Sequence, residues 1–362
     1  MFDINFFERT KKYKDGILGG DYGADRAMEI DEVFDRARAE KPLVYNIETT
    51  NYCNMTCQMC PRTTLMTRKN VWIDDDVFIK VIDQMKPHDP DDMEKFRQTA
   101  QVHFGVDPGD RTEDAFFFNV VSKSLVLHGY GEPLLDKRIV QRVQACTDRQ
   151  IPTYFSCVPA NITVKNGHAI MKAGLGTLKF SMDALDDDLM KKIRGKRNNF
   201  DAAFEVVCKL LELKKEKGYQ TDFVITMIAM SEDDEAKEMH RRFLEIWEGM
   251  DVFAYVKSQD NRWYFEDDDE LENYSHFSKQ YCEYPWTSLS VMADGSVVPC
   301  TQDYDVEMVL GNVREQTLEE IWNGEKYREL RRMHITGEFP QGYKCSERCD
   351  LKLLHEFLGP RD

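Results

Sequence analysis

The most constraining feature of the sequence is a regular alternation of strand-like and helix-like segments between residues 43 and 257. Six segments rich in β-forming residues lie there, beginning with LVYNIET at 43–49 and ending with VFAYVK at 252–257. Segments with apolar residues at helical spacing separate them. Such alternation predicts a parallel sheet wrapped by helices, with functional residues at the carboxyl ends of the strands. Because six units are fewer than the eight of a closed barrel, we predict an α/β fold, a partial (β/α)6 TIM-like barrel.

The flanking regions differ from this pattern. Residues 1–42 are predicted to be a charged helical lead-in, and residues 258–362 a separate small C-terminal domain. Within that domain the run SLSVMADGSVVPC places Asp294 and Gly295 between two β-like stretches, which predicts a tight hairpin. Residues 86–120 interrupt the alternation as an insertion. We interpret the insertion as a solvated surface excursion, with a substrate lid as the alternative.

Composition limits the class of partner. The chain has 362 residues, a formal net charge of −17 and 42% hydrophobic residues, and no apolar run has the ~18 residues of a membrane span. The N-terminus lacks the apolar core of a secretory signal, so we expect a cytoplasmic protein. The negative charge argues against nucleic acid as the main partner, although it does not exclude a local basic pocket. An uncharged or cationic small-molecule substrate fits the net charge better.

The first cysteine cluster directly follows the first strand. Cys53, Cys57 and Cys60 lie in CNMTCQMC, and no fourth Cys or His lies nearby in this loop, whereas a structural zinc site needs four protein ligands. A four-iron cluster bound by three cysteines would leave one iron open. An open iron can be chelated by an amino acid's amino and carboxylate groups, and a reduced cluster can pass an electron to an adjacent sulfonium.

The spacing of these cysteines resembles the defining motif of the radical S-adenosylmethionine (SAM) superfamily, and the resemblance extends over residues 43–257. It implies a 4Fe-4S cluster that cleaves SAM reductively to a 5'-deoxyadenosyl radical, fed by an external electron donor such as flavodoxin or ferredoxin. Family members often have an aromatic residue before the last cysteine; this chain has Met59, which can still make a soft apolar contact with SAM.

Two further segments resemble SAM-binding motifs of the family. Tyr130, Gly131 and Glu132, in HGYGEPLL after the second strand, resemble the Gly-Gly-Glu segment that holds the SAM amino group. Ser181, in the fourth strand, and Arg194, which follows that strand, would by the same resemblance bind the SAM carboxylate or ribose. A plain strand-to-helix turn and solvated side chains are the alternatives for these positions.

A second cysteine group lies beyond the predicted barrel. Four cysteines could close a site there, and zinc is the alternative to an iron-sulfur cluster. The hairpin, a Gly-Asn-Val run and a Leu-Glu-Glu-Ile-Trp helix resemble the SPASM/twitch domain of radical SAM enzymes. The resemblance implies an auxiliary 4Fe-4S cluster, the second of two expected in the chain, that moves electrons. Its candidate ligands are Cys282, Cys300, Cys345 and Cys349.

Three cysteines remain. Cys146 and Cys208 fall at helical spacing with apolar neighbours and are interpreted as core residues. Cys157 ends the third strand, where side chains can face the mouth of a barrel. It is therefore a candidate hydrogen-atom donor, as a radical epimerase requires, with a buried thiol as the alternative.

Together these features predict a radical SAM oxidoreductase or epimerase. We expect it to abstract hydrogen from a C–H bond of a small polyol, such as a sugar or aminocyclitol, giving dehydrogenation or epimerisation. Modification of a peptide or protein side chain is the alternative. A non-catalytic zinc-binding module is a third hypothesis, and it requires the motifs after the second and fourth strands to be coincidental.

Overall fold

A computed structural model describes residues 1–19, 24–107, 109–231, 233–258 and 282–347. Within these ranges the strands form one sheet in the order β6-β5-β4-β3-β2-β1-β7-β8-β9. The strands are β1 (Val44–Ile47), β2 (Leu125–Val126), β3 (Thr153–Cys157), β4 (Thr177–Ser181), β5 (Asp222–Ala229), β6 (Phe253–Ser258), β7 (Leu289–Val291), β8 (Ser296–Val298) and β9 (Gly311–Asn312).

The helices follow the strands in the predicted alternation. They are α1 (Ile4–Gly19), α2 (Ala24–Ala37), α3 (Pro61–Thr64), α4 (Asp75–Ile82), α5 (Pro90–Phe104), α6 (Glu113–Phe116), α7 (Ile139–Thr147), α8 (Val164–Lys172), α9 (Asp187–Arg194), α10 (Phe200–Lys217), α11 (Asp234–Ile246), α12 (Tyr284–Thr287), α13 (Leu318–Trp322), α14 (Glu325–Thr336) and α15 (Lys344–Glu347). A π-helix spans Phe117–Val121, and 3-10 turns span Pro133–Leu135 and Pro159–Asn161. None of the helices described is long and apolar enough to cross a membrane.

The six barrel strands are all parallel, each paired with its neighbour in sequence. This confirms the predicted parallel sheet. Side chains alternate between its two faces. Phe155, Leu178 and Phe180 lie on the outer face and pack in the main core, whereas Tyr154 and Lys179 lie on the inner face. The interior of the partial barrel is therefore lined by every second residue of each strand.

The C-terminal hairpin extends the same sheet. β7 pairs parallel with β1, and β8 pairs antiparallel with β7 and β9. The turn falls where it was predicted, and Gly295 adopts a φ of 90°, which a residue with a Cβ rarely accepts. The hairpin is thus hydrogen-bonded directly to the first barrel strand, which joins the C-terminal segment to the barrel in one sheet.

The insertion at 86–120 is largely helical, and the prediction of a solvated excursion is wrong for its end. Phe116 packs edge-on against Tyr154 at 5.4 Å between ring centroids and lies 5.6 Å from Tyr255. These rings form an apolar cluster with Val126 and Val224. Because these strand residues lie near the amino ends of their strands, the insertion fills the bottom of the barrel interior. The apolar run at the end of the insertion directly follows a charged stretch. The sequence therefore did not indicate that this run packs inside the barrel.

The lead-in helices are anchored by aromatic packing. Phe6 of α1 stacks on Trp286 of α12, with ring centroids 6.1 Å apart, and Phe34 of α2 meets the same indole edge-on at 5.3 Å. All three side chains are fully buried. The two lead-in helices therefore pack against the C-terminal segment through Trp286.

Candidate active site at the carboxyl ends of the strands

The three cysteines after β1 share one apolar environment. Cys57 is buried, Cys53 and Cys60 are half-buried, and they cluster with Met55 and Val158. Burial raises the pKa of Cys53 and of Cys60 to about 11, from an ordinary value of 9, so a positively charged metal centre is needed to make them thiolates at neutral pH. A set of three thiols in a water-poor pocket suits iron-sulfur ligation.

The geometry of these thiols also bears on zinc. In the part of the chain that the structure describes, no three His, Cys, Asp or Glu side chains lie close enough to hold one metal ion. A structural zinc site needs four protein ligands at about 2.3 Å or less from the metal, so the described residues contain no preformed site of that kind.

The end of α9 supports the cysteine loop. The backbone N–H of Gln58 donates to the carbonyl of Ile193 at 2.9 Å. Gly195 has a φ of 101°, and a Cβ there would lie 2.5 Å from Oγ1 of Thr56. Only glycine therefore allows the chain after α9 to pass this close to the loop.

Arg194 contributes to the same contact. Its guanidinium pairs with the fully buried carboxylate of Asp183, and Nη1 lies 3.8 Å from Sγ of Cys57. Asp183 also accepts the backbone N–H of Ile228 at 2.9 Å. The structure thus brings Arg194 to the cysteine loop, as predicted for a residue near SAM, but its charge is already engaged by Asp183. Binding of SAM by Arg194 stays a prediction.

The HGYGEPLL segment packs directly on the chain that enters the cysteine loop. The N–H of Glu132 donates to the carbonyl of Tyr52 at 2.9 Å. A Cβ on Gly131 would lie 2.0 Å from the carbonyl oxygen of Thr50, so the two backbones touch with no room for a side chain. Tyr130 lies beside them, with its N–H 3.2 Å from Oε1 of Glu48.

Glu132 is nearly fully buried, at 3% exposure. Its carboxylate accepts the backbone N–H groups of Leu134 at 3.1 Å and Val158 at 3.0 Å. Burial raises its pKa to about 7, although those hydrogen bonds oppose the shift. A carboxyl group with such a pKa can gain a negative charge when a cation approaches, which is compatible with the predicted role beside the SAM ammonium.

The remaining predicted SAM contacts lie at the rim of the interior. Ser181 ends β4, and its Oγ lies 3.2 Å from Oγ of Ser156 on β3. Met59 packs against both the main core and the cysteine cluster. The cysteine loop with Cys57 and Met59, the segment with Glu132, and Ser181 thus come from three separate segments to one end of the sheet, as the alternation predicted.

Sequence reasoning missed a buried ion pair at the centre of this region. Glu48 is fully buried and binds Arg68 in a bidentate pair, both N–O distances being 2.8 Å. The same carboxylate accepts the N–H groups of Tyr130 and of Ala293, each at 3.2 Å. Glu48 therefore links the end of β1, the segment after α3, the segment after β2 and the C-terminal hairpin. The one available sequence signal for this ion pair was the charged Glu48 at the end of the strand-forming run LVYNIET.

The C-terminal cysteines belong to a segment that this ion pair contacts. Cys300, two residues after β8, is buried; Cys282 and Cys345 are half-buried. Arg68 Nε donates to the carbonyl of Tyr304 at 2.6 Å, which ties the segment after α3 to the segment after Cys300. Cys349 lies outside the described residues, so the predicted set of four ligands stays a prediction.

Comparison with known proteins identifies both regions. The family model of the radical SAM superfamily matches residues 47–244, which is more than half of the chain, and that of the SPASM iron-sulfur cluster-binding domain matches residues 282–350. The chain belongs to the radical SAM superfamily. It carries a C-terminal SPASM domain, and its cofactors are 4Fe-4S clusters and SAM. The hypothesis of a non-catalytic zinc-binding module is therefore wrong.

Two curated relatives match this radical SAM enzyme. The S-adenosyl-L-methionine-dependent 2-deoxy-scyllo-inosamine dehydrogenase of Niallia circulans is 35% identical over 77 residues, which cover 21% of this chain and 31% of the relative. The tungsten-containing aldehyde ferredoxin oxidoreductase cofactor-modifying protein of Pyrococcus furiosus is 22% identical, over 84% of this chain and 88% of its own. The first match therefore spans about a third of that relative's length.

Among solved structures, native anSMEcpe with bound AdoMet is similar with a TM-score of 0.51 and 14% identity, over 80% of this chain and 83% of that chain. At this identity the likeness shows the fold alone. It agrees with the partial barrel and the parallel sheet described above.

Cys157, the candidate hydrogen-atom donor, is 2% exposed and packs in the main core together with Phe155, on the outer face of β3. Burial raises its pKa well above the ordinary value. The prediction that its side chain faces the barrel mouth is wrong, because strand alternation turns Ser156, not Cys157, toward the interior. A hydrogen-donor role has no supporting contact in this radical SAM enzyme.

Proposed function

We propose that this radical SAM enzyme is an oxidoreductase that removes hydrogen from a C–H bond of a small hydroxylated substrate. The single observation that carries the proposal is the convergence of four segments at one end of the partial barrel. The cysteine loop, the segment after β2, Ser181 and the SPASM hairpin all meet above a polar interior. The partial match to an aminocyclitol dehydrogenase supports the choice of substrate class.

The residues of this chain have separate tasks in the proposed reaction. Cys53, Cys57 and Cys60 would hold the SAM-cleaving cluster, and Cys282, Cys300, Cys345 and Cys349 the auxiliary one. The loop carbonyls near Gly131, with Glu132, would hold the SAM amino group, while Ser181 and Arg194 would orient its carboxylate or ribose and Met59 would pack against it. Bound clusters and SAM supply the electron and the carbon radical.

Oxidation of an alcohol carbon to a carbonyl removes one hydrogen atom, one proton and one electron from the substrate. The hydrogen atom would leave as part of 5'-deoxyadenosine, the proton would pass to solvent, and the electron would need an acceptor. Glu48 and Arg68 form hydrogen bonds to Ala293 of the SPASM hairpin and to Tyr304, which follows Cys300. These contacts connect the SPASM segment to the end of β1 and support the auxiliary cluster as that acceptor. Dehydrogenation is favoured over epimerisation because an epimerase needs a hydrogen donor in the interior, and Cys157 is turned away from it.

The test begins with anaerobic reconstitution, dithionite reduction and addition of SAM. We expect about eight irons per chain, as two four-iron clusters require, and formation of 5'-deoxyadenosine. Cys57→Ala should abolish this product. Cys146→Ala is the matched control, because Cys146 is also buried but lies in the main core. If Cys57→Ala still forms 5'-deoxyadenosine, the assignment of the cluster is wrong.

The substrate class is tested separately. We would add 2-deoxy-scyllo-inosamine first, then sugars, each deuterated at its secondary alcohol carbons. Deuterium transfer into 5'-deoxyadenosine, with one carbonyl product per SAM consumed, supports dehydrogenation. Cys300→Ala should lower the ratio of carbonyl product to 5'-deoxyadenosine. Transfer of deuterium from a peptide, and from none of the polyols, would favour the alternative of peptide modification.

A further inference from the structure

A cavity of about 290 Å³ lies at the amino ends of β5 and β6, at the opposite end of the sheet from the cysteine loop. Its first wall is formed by the insertion and the segment just after it, which contribute Arg111, Phe116, Asn119, Val120 and Lys123. The second wall comes from the end of α10 and from the residues at the start of β5 and β6. None of the described residues that line this cavity is a proposed SAM or cluster ligand, so the cavity needs a separate explanation.

Apolar side chains form most of the two walls. Phe116, Phe223 and Phe253 contribute aromatic surface, and Val224 and Met250 contribute aliphatic surface. Phe116 and Val224 also belong to the apolar cluster at the bottom of the barrel interior. Ligand pockets commonly enclose about 300–1,000 Å³, so this cavity is at the small end of that range. Its ligand should therefore be small and have an apolar body.

Arg111 brings a cation to these apolar walls. Its guanidinium lies over the ring of Phe253, 5.0 Å from the ring centroid, and in the described chain no carboxylate pairs with it. A guanidinium has five N–H donors, and the ring contact provides none of them with an acceptor oxygen. Arg111 is exposed, so a ligand can reach it from solvent. A carboxylate could accept two parallel hydrogen bonds from this group.

The charges that line the cavity indicate the charge of its ligand. Arg111, Lys123 and Lys214 are positive, whereas Asp222 and Asp251 are negative, which leaves one positive charge in excess. Lys214 pairs with Asp251 at 2.7 Å. Burial lowers the pKa of Lys123, and the nearby carboxylate of Asp222 opposes that shift, so the charges of these two residues offset each other. The excess charge is that of Arg111, which matches a ligand with a single negative charge.

We propose that this cavity binds a small organic monocarboxylate, with the carboxylate on Arg111 and the apolar body against Phe116 and Phe253. The half-buried side-chain amide of Asn119, which has no hydrogen-bond partner among the residues described, would supply a further donor. A phosphate monoester fits less well, because no cation remains to balance its second negative charge. The inference is independent of the proposed function, since it uses none of the residues assigned to SAM or to the clusters.

The experiment uses the reconstituted, SAM-bound protein. Calorimetric titrations compare benzoate and phenylacetate with their uncharged amides, benzamide and phenylacetamide, and with phenyl phosphate. We expect at least one acid to bind about tenfold more tightly than its amide, the size expected of a hydrogen bond to a charged group. The same acid should raise the unfolding temperature, because it binds the folded chain. Phenyl phosphate should bind more weakly than that acid.

Variants locate the site. Arg111→Met should remove the preference for the acid over its amide, and Asn119→Ala should weaken binding of the acid. Arg36→Met is the matched control, because Arg36 is an exposed arginine on α2, outside the cavity, and should keep the preference. The inference is overturned if neither acid binds more tightly than its amide, or if the preference persists in Arg111→Met. Tighter binding of phenyl phosphate than of either acid would refute the assignment to a monocarboxylate. Should Arg111→Met fail to fold, the wild-type comparison and Asn119→Ala still decide the question.

Discussion

Replacement of Gly131 by alanine tests whether the segment after β2 positions the cysteine loop. A Cβ at residue 131 would lie 2.0 Å from the carbonyl oxygen of Thr50, 2.6 Å from its carbonyl carbon and 2.9 Å from Cα of Asn51. All three are backbone atoms, so no side chain can rotate away. Ordinary van der Waals contact of a Cβ begins at 3.4 Å, whereas this Cβ would lie 2.0 Å from the carbonyl oxygen of Thr50. The backbone must therefore move by about 1.4 Å to make room for it.

That displacement would act on the chain between β1 and the proposed cluster ligands, which begin at Cys53. A shift of about 1 Å in a reacting geometry can cost about 100-fold in rate, and overpacking costs about 1–3 kcal/mol of stability. We therefore expect Gly131→Ala to lower the rate of 5'-deoxyadenosine formation by about 100-fold while iron is still incorporated. The assay is the dithionite-driven reaction with SAM, followed by chromatography, alongside thermal unfolding.

Gly109→Ala is the matched control, because a Cβ there would meet nothing within 4 Å. It should show the wild-type rate and stability. If Gly131→Ala also cleaves SAM at the wild-type rate and unfolds at the same temperature, the close approach of the two backbones does not constrain the site. The role assigned to this segment would then be refuted.

Three further predictions concern buried groups. Glu48→Gln leaves the charge of Arg68 buried without its partner and should lower the free energy of unfolding, measured by chemical denaturation, by about 3–5 kcal/mol. The control Asp74→Asn breaks the exposed ion pair with Arg314 and should lower it by less than about 1 kcal/mol. Equal losses of stability in the two variants would contradict this prediction. Because burial raises the pKa of Glu132 from 4.5 to about 7, the folded apo protein binds more protons than the unfolded chain in that window. Its unfolding free energy should fall as the pH rises from about 4.5 to about 7, and Glu132→Gln should flatten the dependence. Cys157→Ala should retain SAM cleavage and product formation; SAM cleavage without product would restore the donor hypothesis.

The arrangement of the barrel was predictable because it depends on local patterns. Strand-forming runs such as residues 43–49 and 222–230 alternate with amphipathic helices, and right-handed parallel connection of such units leaves few topologies. The spacing of Cys53, Cys57 and Cys60 likewise placed a cluster site at one strand end. These signals are encoded within a few residues of each other, so they can be read without knowledge of distant contacts.

Other features depended on contacts between distant parts of the chain. The sequence contained no sign that β7 would pair with β1, that Phe116 would enter the barrel interior, or that Glu48 would bind Arg68, because each requires residues brought together only by folding. Cys157 was misplaced for a related reason. Which of two adjacent strand residues faces inward depends on register, and a shift of one residue exchanges the two faces.

The amino-acid sequence by itself thus determined the kind of sheet, the cysteine spacing and the family to which the chain belongs. The tertiary structure alone decided which polar side chains share the interior, including the placement of Lys179 beside Tyr255. The physical reason is that hydrophobic periodicity specifies elements locally, whereas the meeting of charged and polar groups within one cavity depends on the register and packing of every strand around it.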